Sequence, residues 1–325
     1  MPQRFPADHY AQGLLAGNRV LLSQAITLVE STLPTDQALA QDVLARVLPA
    51  TGGALRVGIT GVPGVGKSTF IEALGLFLVE KLGQKLAVLA VDPSSPRSGG
   101  SILGDKTRMP QLAAHARAFI RPSPAGSSLG GVARATREAL LLCEAAGHDV
   151  IFVETVGVGQ SETTVHGLVD FFLLLMLAGA GDELQGLKRG IMEMADALLI
   201  TKADGANAMP AARARQEYQN ALHLFPPAAS GWAVPVRTCS ALSGTGLDEV
   251  WEMLEEYRQQ TQQNGFFKRR RQQQQLQWLH QSIRQALEAR FYESKAVRAR
   301  LPDLEARVAA GQLTPAAAAQ ALLDS

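Results

Sequence analysis

The stretch Gly61-Val62-Pro63-Gly64-Val65-Gly66-Lys67-Ser68 follows an apolar run, Leu55 to Thr60, and precedes a segment of helical periodicity, Thr69 to Leu82. It is the G-x-x-x-x-G-K-[ST] pattern in a strand, loop and helix setting, where glycines let backbone N–H groups turn inward around a phosphate and the helix N-terminus adds its positive end. In that frame Lys67 neutralises β- and γ-phosphate charge and the Ser68 hydroxyl ligates Mg²⁺. Thr69 and the intervening Val62, Pro63 and Val65 complete the nucleotide-contacting loop. A glycine-rich turn matching by chance would lack the flanking strand and helix.

Outward from this loop the pattern alternates. Apolar strand candidates lie at 55–60, 86–91, 149–153, 170–177, 196–200 and 233–238, separated by segments of helical period. Runs apolar on both faces fit a mostly parallel sheet covered by helices, so the expected fold is α/β, a P-loop NTPase three-layer sandwich. Residues 1–51 read as a helical leader. Leu14, Leu15, Leu21, Leu22, Ile26 and Val29 recur at helical spacing, and Leu39, Val43, Leu44 and Val47 follow a cap at Thr35 or Asp36. The nucleotide domain is expected over 52–258, closed by a helix from Leu247 that carries Val250, Trp251, Leu254 and Tyr257 on one face. Residues 259–325 read as a helical arm. Within it Leu276, Leu279, Ile283, Leu287 and Phe291 form an apolar stripe that must be buried against something, another subunit being a candidate. Gly311 stops one helix of this arm, and Thr314-Pro315 opens the next.

The ends of the later strands carry the remaining chemistry. Asp92 stands at the C-terminal end of 86–91, the edge at which ligands bind in such sheets, and opens a loop that also carries Asp105. Either carboxylate can hold Mg²⁺, or a water on it, or orient the attacking water; Asp105 also suits a solvated turn. After the strand 149–153, Glu154 takes the place of an acidic residue directed at Mg²⁺, and Gly157 that of a γ-phosphate contact. Gln160 and Glu162 suit either water positioning or a plain loop surface. Thr201-Lys202-Ala203-Asp204 follows another strand. There Asp204 can accept from the N1–H and exocyclic amine of guanine, which adenine cannot offer, and the Lys202 stem can cover the base. Asparagine is the usual first residue of this motif, and Thr201 departs from it. Ser240-Ala241-Leu242 suits the last base-contacting loop.

Composition narrows the partners. Lys and Arg total 31 against 30 Asp and Glu over 325 residues, so no overall field favours a polyanion, and neither nucleic acid nor a membrane is an expected partner. The run Lys268-Arg269-Arg270-Arg271 reads as a solvated helix face. The longest apolar run, Phe171 to Ala180, is too short to span a bilayer and reads as a buried strand. The N-terminus lacks the apolar core of a signal peptide, and the expected location is cytoplasmic. Cys143 and Cys239 match no disulfide or Cys-x-x-Cys motif and read as small buried apolar side chains. His9, His115, His148, His166, His223 and His280 show no ligand spacing, and Trp232, Trp251 and Trp278 read as packing residues.

Gly-Val-Pro-Gly-Val-Gly-Lys-Ser-Thr at 61–69, Val-Asp-Pro-Ser-Ser at 91–95, Gly-Asp-Lys-Thr-Arg-Met at 104–109, Glu-Thr-Val-Gly-Val-Gly-Gln-Ser-Glu at 154–162 and Gly-Asp-Glu-Leu-Gln-Gly-Leu-Lys-Arg-Gly at 181–190 together resemble the MeaB/ArgK family, the methylmalonyl-CoA mutase-associated GTPases. The likeness runs over nearly the whole chain. It implies a homodimeric GTPase, dimerised by its C-terminal arm, that binds GTP or GDP with Mg²⁺. It further implies a chaperone role, in which the GTPase binds an adenosylcobalamin-dependent acyl-CoA mutase and gates cofactor loading and protection. Carried over by position, Lys67 and Ser68 serve phosphate and metal, Asp92, Asp105 and Glu154 the metal and γ-phosphate, and Asp204 guanine. The loop from Gly181 to Gly190, with Lys188, resembles an additional switch. The competing reading is a nucleotide-dependent kinase or ATPase acting on an amino-acid transport protein, as the family's older name implies. A nickel-insertion GTPase would carry a His-rich tail or a Cys-x-x-Cys, and this chain has neither.

Overall fold

The computed structural model describes residues 4–91, 108–122, 129–155, 161–179 and 189–324, so Asp92, Asp105, Gly157, Gln160 and Lys188 lie outside the described residues. The chain divides into two compact units, Met1–Arg271 and Gln272–Ser325.

The first unit opens with α1 (Ala7–Leu15), α2 (Arg19–Glu30) and α3 (Pro34–Val47). Leu14, Leu21, Leu22, Ile26 and Val29 are buried as the sequence spacing predicts, but Leu15 faces solvent and Tyr10, one turn before Leu14, takes the core place instead. The side chain of Asn18 accepts from the N–H groups of Val20 and Leu21 and starts α2. α3 departs from expectation: neither Thr35 nor Asp36 caps it. Its N-cap is Leu33 and Pro34 takes the first turn, because a ring that fixes φ near the helical value starts the helix ahead of both side chains. Asp36 instead receives Arg4 Nε at 2.9 Å and Nη2 at 2.7 Å.

Strands and helices then alternate: β1 (Leu55–Gly61), α4 (Lys67–Leu76), β2 (Leu86–Val91), α5 (Pro110–Ala114), β3 (Ala118–Arg121), α6 (Leu129–Ala145), β4 (Val150–Thr155), α7 (Ser161–His166), β5 (Phe171–Met176), α8 (Arg189–Met194), β6 (Ala197–Ile200), α9 (Ala208–Leu222), β7 (Val236–Thr238) and α10 (Leu247–Gln263). The sheet order is β3-β2-β4-β1-β5-β6-β7, and the recorded pairings are parallel. The six expected strands are present. β3 was not expected, because a four-residue edge strand pairing with β2 alone offers too short an apolar run to stand out. β1 sits between β4 and β5, and the core joins its Val57 and Ile59 to Phe70 and Leu74 of α4 and to Val250, Leu254 and Tyr257 of α10. Ligands bind such sheets at the C-terminal ends of the strands where chain order reverses, here around β1.

α11 (Phe266–Glu293) begins in this unit and corrects the reading of its basic run. Lys268 and Arg269 are exposed, but Arg270 and Arg271 are drawn inward. Arg271 Nε and Nη2 meet the two oxygens of the Asp170 carboxylate at 2.8 and 2.6 Å, and its Nη1 and Nη2 reach the carbonyls of Gly52 and Ala54, each at 2.6 Å. The guanidinium also lies 4.5 Å over the Phe267 ring. A buried carboxylate at the foot of the sheet needs a cation, and spacing along the helix does not disclose that partner. Cys143 and Cys239 are free and buried, as expected, and burial pushes the Cys239 thiol up to about 12.

In the second unit α12 (Lys295–Ala309) and α13 (Pro315–Leu323) enclose Val297, Leu304, Ala318 and Leu322. The Thr314 hydroxyl accepts from the N–H of Ala317 and caps α13 as expected. Leu276, Leu279, Ile283 and Leu287 on α11 are exposed within the single chain. Among the described residues no helix is long and apolar enough to cross a membrane.

Candidate functional site

β1 delivers Gly61 to the C-terminal edge of the sheet, and the chain there must turn without a side chain in its way. A Cβ on Gly61 would lie 2.5 Å from the Leu175 carbonyl. Gly66, at φ 93°, is the N-cap of α4 in the left-handed region that glycine alone enters at little cost. Between them Val62 and Val65 close the turn, with the Val65 N–H donating to the Val62 carbonyl at 3.3 Å. The first helical residue is Lys67, so the open N–H groups of the first turn, Thr69 included, lie beside the loop.

Lys67 Nζ folds back to donate to the Gly61 carbonyl at 2.8 Å. Burial lowers its pKa, the charges of Glu154 and Glu162 oppose that, and Arg108 adds to it. The ammonium thus lies in a desolvated, carboxylate-flanked place, where a phosphate would be felt strongly. The Ser68 hydroxyl donates to Glu154 Oε1 at 3.3 Å. Glu154 lies inside β4 rather than after it, 4 % exposed, and the following Thr155 hydroxyl donates to Thr60 in β1 at 2.8 Å. This pairing of a hydroxyl and a buried carboxylate is the hard-oxygen donor set that Mg²⁺ accepts, and the ion takes only one or two such protein ligands beside phosphate. Among the described residues no cluster of three His, Cys, Asp or Glu side chains is present.

The base-reading candidates assemble on neighbouring strand ends. Thr201 follows β6, is 4 % exposed, and its hydroxyl donates to the Val65 carbonyl at 2.8 Å. Lys202 takes the left-handed conformation at φ 56° and its Nζ donates to the Gly64 carbonyl at 2.9 Å. Asn207 Nδ2 holds the Lys202 carbonyl at 2.7 Å. Ala203 N–H donates to the Cys239 carbonyl at 3.0 Å, which docks this loop on the one after β7. There the fully buried Ser240 donates from its hydroxyl to Asp204 Oδ2 and accepts the Ser243 N–H at 3.1 Å. Asp204 keeps Oδ1 for a further donor. Ala241 is half-buried and Leu242 fully displayed to solvent at 84 % exposure.

The structure therefore brings Gly61 to Thr69, Glu154, Lys202, Asp204 and Ser240 onto one edge of the sheet. The parts in Thr201 and Asn207 were missed by sequence reasoning: a residue that ties one loop to another through a backbone carbonyl leaves no spacing signal. Thr201 stood out only as a departure from asparagine, yet its hydroxyl supplies the loop-to-loop hydrogen bond.

Comparisons with known proteins agree with this geometry. The family model described as "Methylmalonyl Co-A mutase-associated GTPase MeaB" matches residues 22–296. A putative GTPase of Caulobacter vibrioides is 54 % identical over 97 % of this chain and 96 % of its own length. The mouse mitochondrial methylmalonic aciduria type A homolog is 46 % identical over 99 % of this chain and 80 % of its own. A crystal structure titled as a LAO/AO transport system kinase superposes with a TM-score of 0.76 at 38 % identity, covering 98 % of this chain and 96 % of that one. A strand, glycine-rich loop and helix of the phosphate-binding pattern and these matches lead to one conclusion: the chain belongs to the MeaB family of methylmalonyl-CoA mutase-associated GTPases and is a guanine-nucleotide-binding GTPase.

Proposed function

We propose that this GTPase is a cytoplasmic homodimer that assembles with an adenosylcobalamin-dependent acyl-CoA mutase and gates the loading and protection of its cofactor. The observation that carries the reading is the match over residues 22–296 to a family described by its association with methylmalonyl-CoA mutase. The mouse relative's name, which refers to methylmalonic aciduria, points to the same metabolism. A kinase acting on an amino-acid transport protein is disfavoured, since the family model and the Caulobacter relative, similar over most of the chain, are both described as GTPases.

In this proposal residues 1–51 form the leader, 52–258 the nucleotide domain and 259–325 the dimerising arm, with the exposed Leu276, Leu279, Ile283 and Leu287 covered by the second copy. Gly61 to Thr69 cradle the phosphates, Lys67 neutralises them, and Asp204 selects guanine with Ser240, Ala241 and Leu242 around the base. Ser68 and Glu154, together with Asp92 and Asp105, would hold Mg²⁺. That ion supplies neutralisation of the charge developing on the β- and γ-phosphate oxygens. Nucleic acid and membrane have no part.

The test is GTP and ATP affinity and turnover, measured alone and with a purified cobalamin-dependent acyl-CoA mutase. Preference for GTP and a mutase-dependent change in turnover are expected. Indifference to the mutase would overturn the chaperone role and leave the GTPase assignment intact.

A further inference from the structure

At the foot of the sheet, by the N-terminal ends of β6 and β7 and thus opposite the phosphate loop, lies a cavity of about 490 Å³. Its volume is that of an ordinary small-molecule pocket. Its apolar lining includes Leu222 of α9, Trp232 and Val234, and its polar lining Arg270, His166, Asp196, Glu193, Gln219 and His223.

Arg270 is under-used by its neighbours. Its Nη1 makes long contacts, 3.4 Å to Asp196 Oδ2 and 3.3 Å to the Tyr257 hydroxyl, and its Nη2 is buried with no acceptor among the described residues. Asp196 is already served by the Phe172 N–H at 2.9 Å, so one carboxylate does not exhaust a guanidinium with five donors. Such a donor deficit is costly to bury, and a carboxylate in the cavity that draws the guanidinium toward it would offset it. Burial, then the charge of Arg270, lowers the His166 pKa to about 4. Its neutral ring therefore adds one more N–H donor at pH 7. Glu193 and Asp196, the other charged groups of the lining, are carboxylates, which would draw a cation instead.

One helix links this cavity to the other edge. α7 carries Glu162, whose charge acts on Lys67, and ends at His166 in the cavity wall. α8 ends at Met192, Glu193 and Met194 in the same wall. A short rigid helix touching both places is a physical route for coupling, which is then reciprocal.

We propose that this cavity is a second ligand site, for a small molecule with an apolar body and one carboxylate, and that its occupancy is coupled to guanine nucleotide binding. The probe is 4-phenylbutyrate, titrated into the full-length protein and followed by calorimetry and tryptophan fluorescence, with 4-phenylbutylamine and butylbenzene as same-body controls. The acid should bind one to one, and the amine and hydrocarbon about tenfold more weakly or not at all. Ala228→Phe, which fills the cavity from its lining, should abolish binding, and Arg270→Met should weaken it about tenfold. Saturating acid should shift GDP affinity by about fivefold or more in the wild type and leave Ala228→Phe unaffected. If Arg270→Met fails to fold around the stranded Asp196, the Ala228→Phe titration and the acid-to-amine comparison decide alone. Absence of saturable binding, equal binding to Ala228→Phe, preference for the amine, or binding that leaves GDP affinity unmoved would each overturn the proposal.

Discussion

The Thr201 hydroxyl donates to the Val65 carbonyl at 2.8 Å, so the loop after β6 that carries Asp204 is hydrogen-bonded to the glycine-rich loop after β1. Thr201→Val keeps the shape and strands a buried carbonyl, at a cost of about 1–3 kcal/mol. GDP affinity should fall about tenfold, because the loops no longer hold each other in register. Calorimetric titration checks this, and an unchanged affinity would show the bond to be incidental.

Asp204 should decide which base binds. Asp204→Asn offers an amide donor where guanine presents its own N–H groups, so GTP affinity should drop by about 10²-fold or more. Xanthosine triphosphate, with a carbonyl in place of the exocyclic amine, should gain. Ser240→Ala frees the Asp204 carboxylate to rotate and should lose about tenfold in GTP affinity without reversing the preference. Competition of GTP and xanthosine triphosphate against a fluorescent analogue measures both effects.

Ser68→Ala should remove the Mg²⁺-dependent part of nucleotide affinity. The wild type is expected to bind GTP more tightly with Mg²⁺ than with chelator, and the variant to bind equally in both. Lys67→Ala should instead weaken binding under both conditions, since the ammonium acts on phosphate charge directly. A Ser68→Ala protein that still responds to Mg²⁺ would move the metal away from this hydroxyl.

Arg271 holds both oxygens of the Asp170 carboxylate and two backbone carbonyls. Arg271→Met leaves Asp170 buried without its cation and should destabilise the fold by about 3–5 kcal/mol. The double variant Arg271→Met with Asp170→Asn should recover part of that loss. Chemical denaturation of the three proteins gives the comparison.

His166 predicts an acid limb in stability. Its folded pKa of about 4 lies below the ordinary 6.5, with burial as the first cause and Arg270 as the second. Between those values the unfolded chain binds the proton and the folded chain does not, so stability is full above about pH 6.5 and is lost as pH falls towards 4. The loss should reach about 2–3 kcal/mol. His166→Phe should flatten this part of the denaturation profile, and an unchanged slope would place the acid sensitivity elsewhere.

The phosphate loop was legible because Gly61, Gly66, Lys67 and Ser68 act through backbone freedom and a fixed local spacing, which a linear string records in full. The same holds for β1, β2 and β4 to β6, whose two buried faces make continuous apolar runs. What the string could not hold were contacts between distant segments. Four residues at the sheet edge became β3 only by pairing with β2, and Pro34 started α3 before either residue expected to cap it. The basic run separated into exposed and buried members in a way no helical period encodes: Lys268 and Arg269 face solvent, while Arg270 and Arg271 turn in to Asp196 and Asp170. By itself the sequence determined the strand, glycine turn and helix around Gly61 to Ser68, because that geometry is local. The tertiary structure alone decided that Thr201 joins the two nucleotide loops and that Arg270 faces a cavity, because each depends on which buried group the fold brings within hydrogen-bond reach.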